Sequence, residues 1–113
     1  MNRLDEKFYV GEEGLTLLVR TGMDMTGVRE GDVRSALRRP NGSVVSRVIP
    51  VSAIQDAEAG LVAMSIEAGD FSMPGVYQAQ IYFRDREGRL RPSHLFAFEV
   101  ENSIVVDSES LFS

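Results

Sequence analysis

The amino-acid sequence predicts an all-β protein: an immunoglobulin-like, antiparallel β-sandwich of about seven strands with extended terminal arms. Apolar residues alternate with polar ones along several short segments, which is the period of a half-buried strand and not that of a helix. Turn residues separate these segments at a spacing of roughly eight to fifteen residues. The alternation leaves one wet face on each sheet, which favours antiparallel pairing.

The N-terminal half supplies the first strands of this sandwich. Residues 15–20 and 33–38 alternate regularly, and residues 44–51 lead away from the turn Pro40-Asn41-Gly42-Ser43 as a partner strand. An Asn-Gly pair between alternating segments indicates a hairpin, because both residues tolerate positive φ. Pro50 has no backbone N–H to donate, so the second half of that strand is expected at an edge or a bulge.

The C-terminal half supplies the rest of the sandwich. Its clearest strand spans residues 76–83, whose odd positions are all apolar and are assigned to the core. A polar hairpin loop containing Gly88 follows this strand. Before the strand at 76–83, the chain has a loop at 56–60, a strand at 61–66 and a tight helical turn at 68–71. After the hairpin loop, Phe96, Phe98 and Val100 mark the inner face of the last strand.

Tyr77 is predicted to form a tyrosine corner. It follows a Pro-Gly turn at the start of the clearest strand, where the hydroxyl of such a Tyr returns to the backbone a few residues upstream. Ala79 then occupies the position at which an immunoglobulin domain has its second cysteine. The alternative is that Tyr77 is a core aromatic with a wet hydroxyl. Either role is architectural.

A chain of 113 residues is expected to form one domain, here residues 8–103, with an N-terminal arm at 1–7 and a C-terminal arm at 104–113. The first residues are charged and resemble no signal peptide, and no stretch is long and apolar enough to span a bilayer, so no membrane association is expected. A net charge of -5 disfavours nucleic acid as a ligand.

The composition offers little material for catalysis. The chain has one histidine, His94, and no cysteine, which excludes cysteine nucleophiles and thiolate zinc sites. Asp85-Arg86-Glu87-Gly88 lacks the spaced oxygen ligands of a calcium loop and is interpreted as a hairpin turn. The scattered acids near strand ends are interpreted as solvated. The sequence therefore predicts no catalytic residue, no cofactor and no metal site, and a binding or structural module rather than an enzyme.

Surface residues favour a protein interface instead. By alternation Val76, Tyr82, Leu95 and Ala97 should point away from the core, and an apolar patch on the outer side of a sheet is a candidate docking surface. Eleven of the twelve basic residues are arginines, a residue favoured at interfaces, although an arginine preference can also follow from a GC-rich genome.

The C-terminal arm has the composition of a bound segment. It lies beyond the last predicted strand, yet it is rich in apolar side chains that a free tail seldom carries. We expect this arm, and the N-terminal one, to be held by a neighbouring subunit. Its candidate interface residues are Ile104, Val105, Val106, Leu111 and Phe112.

The order of these landmarks resembles the N-terminal domain of phage baseplate upper proteins, an immunoglobulin-like module of tailed-phage virions. The resemblance covers roughly residues 8 to 104. It depends on the order and spacing of the motifs, since each motif alone is a turn sequence that any β-sandwich could contain. The segments that carry it are Met25-Thr26-Gly27-Val28, Leu37-Arg38-Arg39-Pro40-Asn41-Gly42-Ser43, Ile54-Gln55-Asp56-Ala57-Glu58-Ala59-Gly60, Pro74-Gly75-Val76-Tyr77 and Phe96-Ala97-Phe98-Glu99-Val100-Glu101-Asn102-Ser103-Ile104.

The resemblance implies a non-enzymatic structural protein of the virion, assembled in the cytoplasm of the bacterial host in several symmetric copies, with other virion subunits as partners. In that family the module continues into a helix or stalk, whereas nine residues follow Ile104 in this sequence, which favours a baseplate, tail-fibre attachment or neck adaptor. The alternatives are a capsid or tail decoration protein, a module that binds a surface polysaccharide, and a cytoplasmic accessory domain of an enzyme.

Overall fold

A computed structural model of the chain describes residues 2–3 and 7–102, and it is all-β. Its one helical element in that part of the chain is a short 3₁₀ turn, Val51–Ala53. No helix among the described residues has the length and apolarity needed to cross a membrane. The strands are β1 Asn2–Arg3, β2 Phe8–Tyr9, β3 Leu15–Arg20, β4 Val33–Arg38, β5 Val44–Val48, β6 Ile54–Asp56, β7 Leu61–Ile66, β8 Gly75–Arg84, β9 Leu90–Pro92 and β10 Phe96–Glu101.

The strands form two sheets of unequal size. The larger sheet has the order β1-β10-β8-β4-β5, with β2 beside β10 and β9 beside β8, and the smaller sheet has the order β3-β7-β6. The longer predicted strands lie where alternation placed them, and β3, β4 and β7 have the predicted bounds. The described residues form ten strands rather than about seven, because β1, β2, β6 and β9 are too short to show an alternating pattern.

Pairing is antiparallel except at the N-terminus. Both β1 and β2 pair in parallel with β10, through Asn2 opposite Phe96 and Phe8 opposite Val100. The prediction of a wholly antiparallel sandwich is therefore wrong for these two pairs. A strand of two residues has no sequence pattern that predicts its direction, and the direction of β1 and β2 follows from the sheet that they join.

The core lies between the inner faces of the two sheets. Alternation along β8 buries Tyr77, Ala79, Ile81 and Phe83, as the sequence predicts. Four aromatic rings, which we call the ring cluster, pack at one end of this core with centroids 5.2 to 5.9 Å apart: Phe8, Phe71, Tyr77 and Phe98. Such rings contribute most of the apolar area that a small core can bury.

The β4–β5 hairpin and the first residue of β8 meet at the same end of the larger sheet. Gly75 opens β8 with a φ of +133°, and a Cβ atom there would lie 2.7 Å from Cγ of Pro40 in the hairpin turn. A larger residue would have to push the hairpin away. Since Gly75 is also opposite Val100, β10 ends at this same end.

Candidate interaction surface

The outward side of the larger sheet, which we call the outer face, carries most of the exposed apolar side chains. Seven large hydrophobic residues are exposed within the described residues, and the smaller sheet contributes Leu18 alone to them. The register places Leu90 opposite Arg84, so it shares the outer face with the even positions of β8. The five apolar residues of the outer face are Val44, Val48, Val76, Leu90 and Leu95.

The outer face also carries arginines, and Glu99 lies on the same face opposite Val76. Arg34 and Arg38 lie on β4 between the exposed valines of β5 and the side chains of β8, and both are exposed. The Arg38 guanidinium donates to Oε1 of Gln78 at 3.0 Å. A face that combines apolar side chains with arginines has the composition of a protein interface.

Tyr82 is half-buried in this face and holds two strands together. Its hydroxyl lies 3.0 Å from Oγ of Ser46, two strands away, so its ring crosses β4 at the small residue Ala36. The hollow next to it, lined in part by Ala36, Gln80 and Leu95, has a volume of about 50 Å³. That is far below the several hundred Å³ of a small-molecule site, so the outer face suits a macromolecular partner.

Strand β5 forms the open edge of the larger sheet beside this face. The ladder to β4 is bracketed by hydrogen bonds from Arg39 N–H to the Ser43 carbonyl and from Ile49 N–H to the Val33 carbonyl. In an antiparallel pair, hydrogen-bonded and non-hydrogen-bonded positions alternate. The backbone N–H and C=O groups of the intervening even positions therefore point away from β4, and these positions are Val44, Ser46 and Val48.

The structure places the predicted interface residues as follows. Val76 is 45% exposed and Leu95 is 36% exposed on the outer face, and Tyr82 is half-buried on the same face. Ala97 points away from the core, opposite Gln78, as expected, but it is buried because β10 lies inside the sheet between β8 and β1. The arm residues Ile104, Val105, Val106, Leu111 and Phe112 lie outside the described residues.

Sequence reasoning missed three exposed apolar residues of the outer face, Val44, Val48 and Leu90. Alternation within β5 was a usable signal, because Val45 and Ile49 pack towards the core and the even positions must then face outward. Leu90 gave no such signal, since its three-residue strand is too short to show a period.

Arg47 belongs to the interior and not to the surface arginines. Its guanidinium forms two hydrogen bonds of 2.6 Å with the buried Asp70 carboxylate, and its Nε lies 3.0 Å from Oε2 of Glu67. Arg39 adds a bond of 3.1 Å to the Asp70 carbonyl. This network, which we call the Arg47–Asp70 pair, ties the edge of the larger sheet to the loop that follows β7.

Burial alone would raise the pKa of the Asp70 carboxyl. The hydrogen bonds from Arg47 and from the Glu67 N–H, together with the charges of Arg47 and Arg39, outweigh burial and hold that pKa below its usual range. The carboxylate is therefore ionised at neutral pH, where it is bonded to Arg47 and to the Glu67 N–H.

The Tyr77 hydroxyl also makes an architectural contact. It donates to the Met73 carbonyl at 2.7 Å and accepts from the Met73 N–H at 3.3 Å. Since Met73 lies four residues upstream, this is the returning hydrogen bond that a tyrosine corner requires.

In the loop after β8, the Asp85 carboxylate bonds to backbone and side-chain groups of the same loop. Oδ1 of Asp85 accepts from the backbone N–H groups of Glu87 and Arg89, and Oδ2 lies 3.1 Å from Nε of Arg89. These backbone bonds and the neighbouring arginine lower the pKa of the Asp85 carboxyl. His94 is exposed. Among the residues that the structure describes, no three His, Asp or Glu side chains are placed to share a metal ion.

Comparison with known proteins identifies the family. The family model described as the BppU N-terminal domain matches residues 37–110, about two thirds of the sequence. The chain belongs to this family. The BppU N-terminal domain is that of the phage baseplate upper protein, so the family implies a structural component of the virion that contacts other virion components.

A solved structure shares the fold. The crystal structure of CopC from Methylosinus trichosporium OB3b superposes with a TM-score of 0.54 over 86% of this chain and 83% of that chain. The two sequences are 12% identical, so the likeness concerns architecture alone. No curated protein sequence matches the chain.

Proposed function

We propose that the chain is a non-enzymatic structural subunit of the phage tail baseplate, which joins other virion subunits as an adaptor or fibre-attachment module. The family match over residues 37–110 carries this proposal. The Tyr77 corner geometry and the two-sheet architecture support an immunoglobulin-like assignment for the sandwich. We propose that the protein acts in several symmetric copies, without nucleic acid or membrane as a partner, and that it assembles into the virion in the host cytoplasm.

The outer face is the proposed docking surface. Its exposed valines and leucines lie on one side of one sheet, with Arg34 and Arg38 among them. Monomeric proteins seldom expose apolar residues in one contiguous patch unless a partner covers them. The opposite side of the sandwich offers no comparable patch in the described residues, because Leu18 is its single exposed large hydrophobic residue.

A complementation experiment tests this proposal. A phage that lacks this gene is supplied with the full chain or with the variant Val76→Ser/Leu95→Ser, and purified particles are assayed for the protein. We expect incorporation of the double variant to fall at least about tenfold, because two apolar contacts of an interface core are lost. The matched control is Leu18→Ser, an equally apolar and exposed position on the smaller sheet, which should be incorporated normally.

The location of the protein in the particle tests the assignment itself. Antibody labelling followed by electron microscopy should mark the baseplate. Labels on the capsid would overturn the baseplate assignment in favour of a decoration protein. Normal incorporation of the Val76→Ser/Leu95→Ser variant would overturn the role of the outer face and leave the family assignment untouched.

A further inference from the structure

Strand β5 presents an unpaired edge that natural proteins usually protect. Val44, Ser46 and Val48 point their N–H and C=O groups away from β4, and their side chains are exposed on the outer face. Edge strands are normally blunted by charges, by proline or by a covering element, since an open edge accepts further strands. The charged side chain of β5, Arg47, turns inward to Asp70, and the three residues whose backbone groups point outward are uncharged.

The segment after β10 has the composition of a strand that needs such an edge. Ile104, Val105 and Val106 are consecutive β-branched residues, which favour extended structure, and the acidic residues Asp107 and Glu109 follow them. The family match extends to residue 110, so it includes this segment.

Strand β10 has a partner on each side at its C-terminal end. At the C-terminal end of β10, Val100 is opposite Gly75 of β8 on one side and opposite Phe8 of β2 on the other. Both edges of β10 are therefore occupied where the chain leaves the sheet.

The segment is also too short to place Ile104–Val106 along β5 of its own chain. The sheet order β10-β8-β4-β5 puts β5 three strands from β10, which is about 14 Å at the usual strand spacing. Ile104 is two residue steps from Asn102, which span at most about 7 Å when fully extended. The β5 edge that this segment could pair with must belong to another molecule.

We propose that the β5 edge of one copy takes Ile104–Val106 of a second copy of this chain as an added strand. Backbone hydrogen bonds to Val44, Ser46 and Val48 would supply affinity, as in other cases of strand addition. Arg38 is opposite Val44 and Arg34 is opposite Val48, so an arginine flanks each end of the edge. These positive charges lie one strand in from the edge and are complementary in sign to Asp107 and Glu109.

This contact joins two different surfaces of the chain, an arm and an edge. Such a heterologous contact repeats from copy to copy and closes into a ring or continues as a filament. As a mode of virion assembly the inference rests on the proposed function, whereas the pairing itself is a property of the chain and can be measured without any phage.

Sedimentation velocity of the purified full chain tests the pairing. We expect the wild-type chain to associate with increasing concentration, and the variant Ser46→Pro to associate at least about tenfold more weakly. Proline removes the outward N–H of Ser46 and no hydrogen bond of the β4 ladder, and proline is tolerated on the open side of an edge strand. The matched control Ser46→Ala loses the hydroxyl contact with Tyr82 and keeps the N–H, so it should associate like the wild type.

A mixing experiment then tests that the contact is between an arm and an edge. The variant Val105→Pro has a damaged arm and an intact edge, and Ser46→Pro has the reverse. Each should be monomeric alone, and an equimolar mixture should form a heterodimer and nothing larger. Circular dichroism and thermal melts of both variants, each compared with the wild type, establish that they are folded.

The inference is wrong if the wild-type chain stays monomeric up to about millimolar concentration, if folded Ser46→Pro associates like the wild type, if Ser46→Ala weakens association equally, or if the mixture forms no heterodimer. A monomeric chain that still enters phage particles would overturn this inference and leave the proposed function in place. A chain that associates as described but never enters particles would support this inference and overturn the proposed function.

Discussion

The ring cluster end of the core and the outer face of the larger sheet use similar side chains in opposite ways. Around the ring cluster, apolar rings pack on one another, the Tyr77 hydroxyl meets the Met73 backbone, and the Asp70 carboxylate meets Arg47. On the outer face, valines and leucines are exposed, and the β5 edge points its backbone groups away from the sheet. Substitutions in the first region should therefore change the free energy of unfolding, and those in the second should change association.

The largest effect on folding is expected for Asp70→Asn. This change removes the charge that pairs with Arg47 through two bonds of 2.6 Å and leaves a half-buried guanidinium with Glu67 as its remaining carboxylate. Loss of one partner of a buried ion pair costs about 3 kcal/mol. Urea unfolding followed by circular dichroism measures it. The control is Glu87→Gln, which breaks an exposed pair with Arg89 and should cost far less.

The Asp70→Asn variant should also change how stability depends on pH. The pKa of the Asp70 carboxyl is lowered in the folded state, so its ionised form contributes stability above the unfolded pKa of about 3.9. That contribution is lost as the pH falls through the folded pKa. The difference in unfolding free energy between wild type and variant should therefore shrink below about pH 4, and a difference that stays constant from pH 7 to pH 3 would contradict the account.

A smaller loss is expected for Tyr77→Phe. The ring stays in the ring cluster, while the Met73 carbonyl loses a hydrogen bond of 2.7 Å in a buried setting. Such a loss costs about 1.5 kcal/mol. Tyr82→Phe is the matched change on the outer face, where Ser46 can bond to water instead, and it should cost less than about 0.5 kcal/mol in the same unfolding experiment. Equal losses for the two variants would show that the buried Tyr77 hydrogen bond stabilises the fold no more than the exposed Tyr82 contact does.

Much of the fold could be predicted from residues that act locally. The alternation of β3, β4, β7 and β8 predicted these strands correctly because each has a buried face and a more exposed face. Successive side chains of a strand point to opposite faces, so polar and apolar residues alternate along it. The short strands could not be predicted, since β1 and β2 exist because β10 offers them a partner.

The candidate surface was partly predictable for the same reason. Val76 follows from alternation on a long strand, and it is exposed as expected. The burial of Ala97 and the ion pair of Arg47 could not be predicted, because they depend on distant elements, β1 beside β10 in one case and Asp70 in the other. Alternation tells which side of a sheet a residue faces, but not what covers that side.

The smallest effect on folding is expected for Val76→Ala, and a matched change sharpens the comparison. Val100→Ala removes the same two methyl groups from a residue that is 2% exposed beside the ring cluster, and it should cost about 2 kcal/mol from lost burial and the cavity left behind. Val76 is 45% exposed, so its truncation removes little buried area and should change the unfolding free energy by less than about 0.5 kcal/mol.

Particle incorporation should rank these two variants in the reverse order. Val76→Ala shortens a side chain that the proposed partner covers, whereas Val100→Ala leaves the outer face unchanged in a protein that is still folded at the growth temperature. Complementation of the deleted gene at a permissive temperature measures both. If Val76→Ala lost stability as Val100→Ala does, the outer face would be part of the folding core, and its exposed valines would no longer indicate a docking surface.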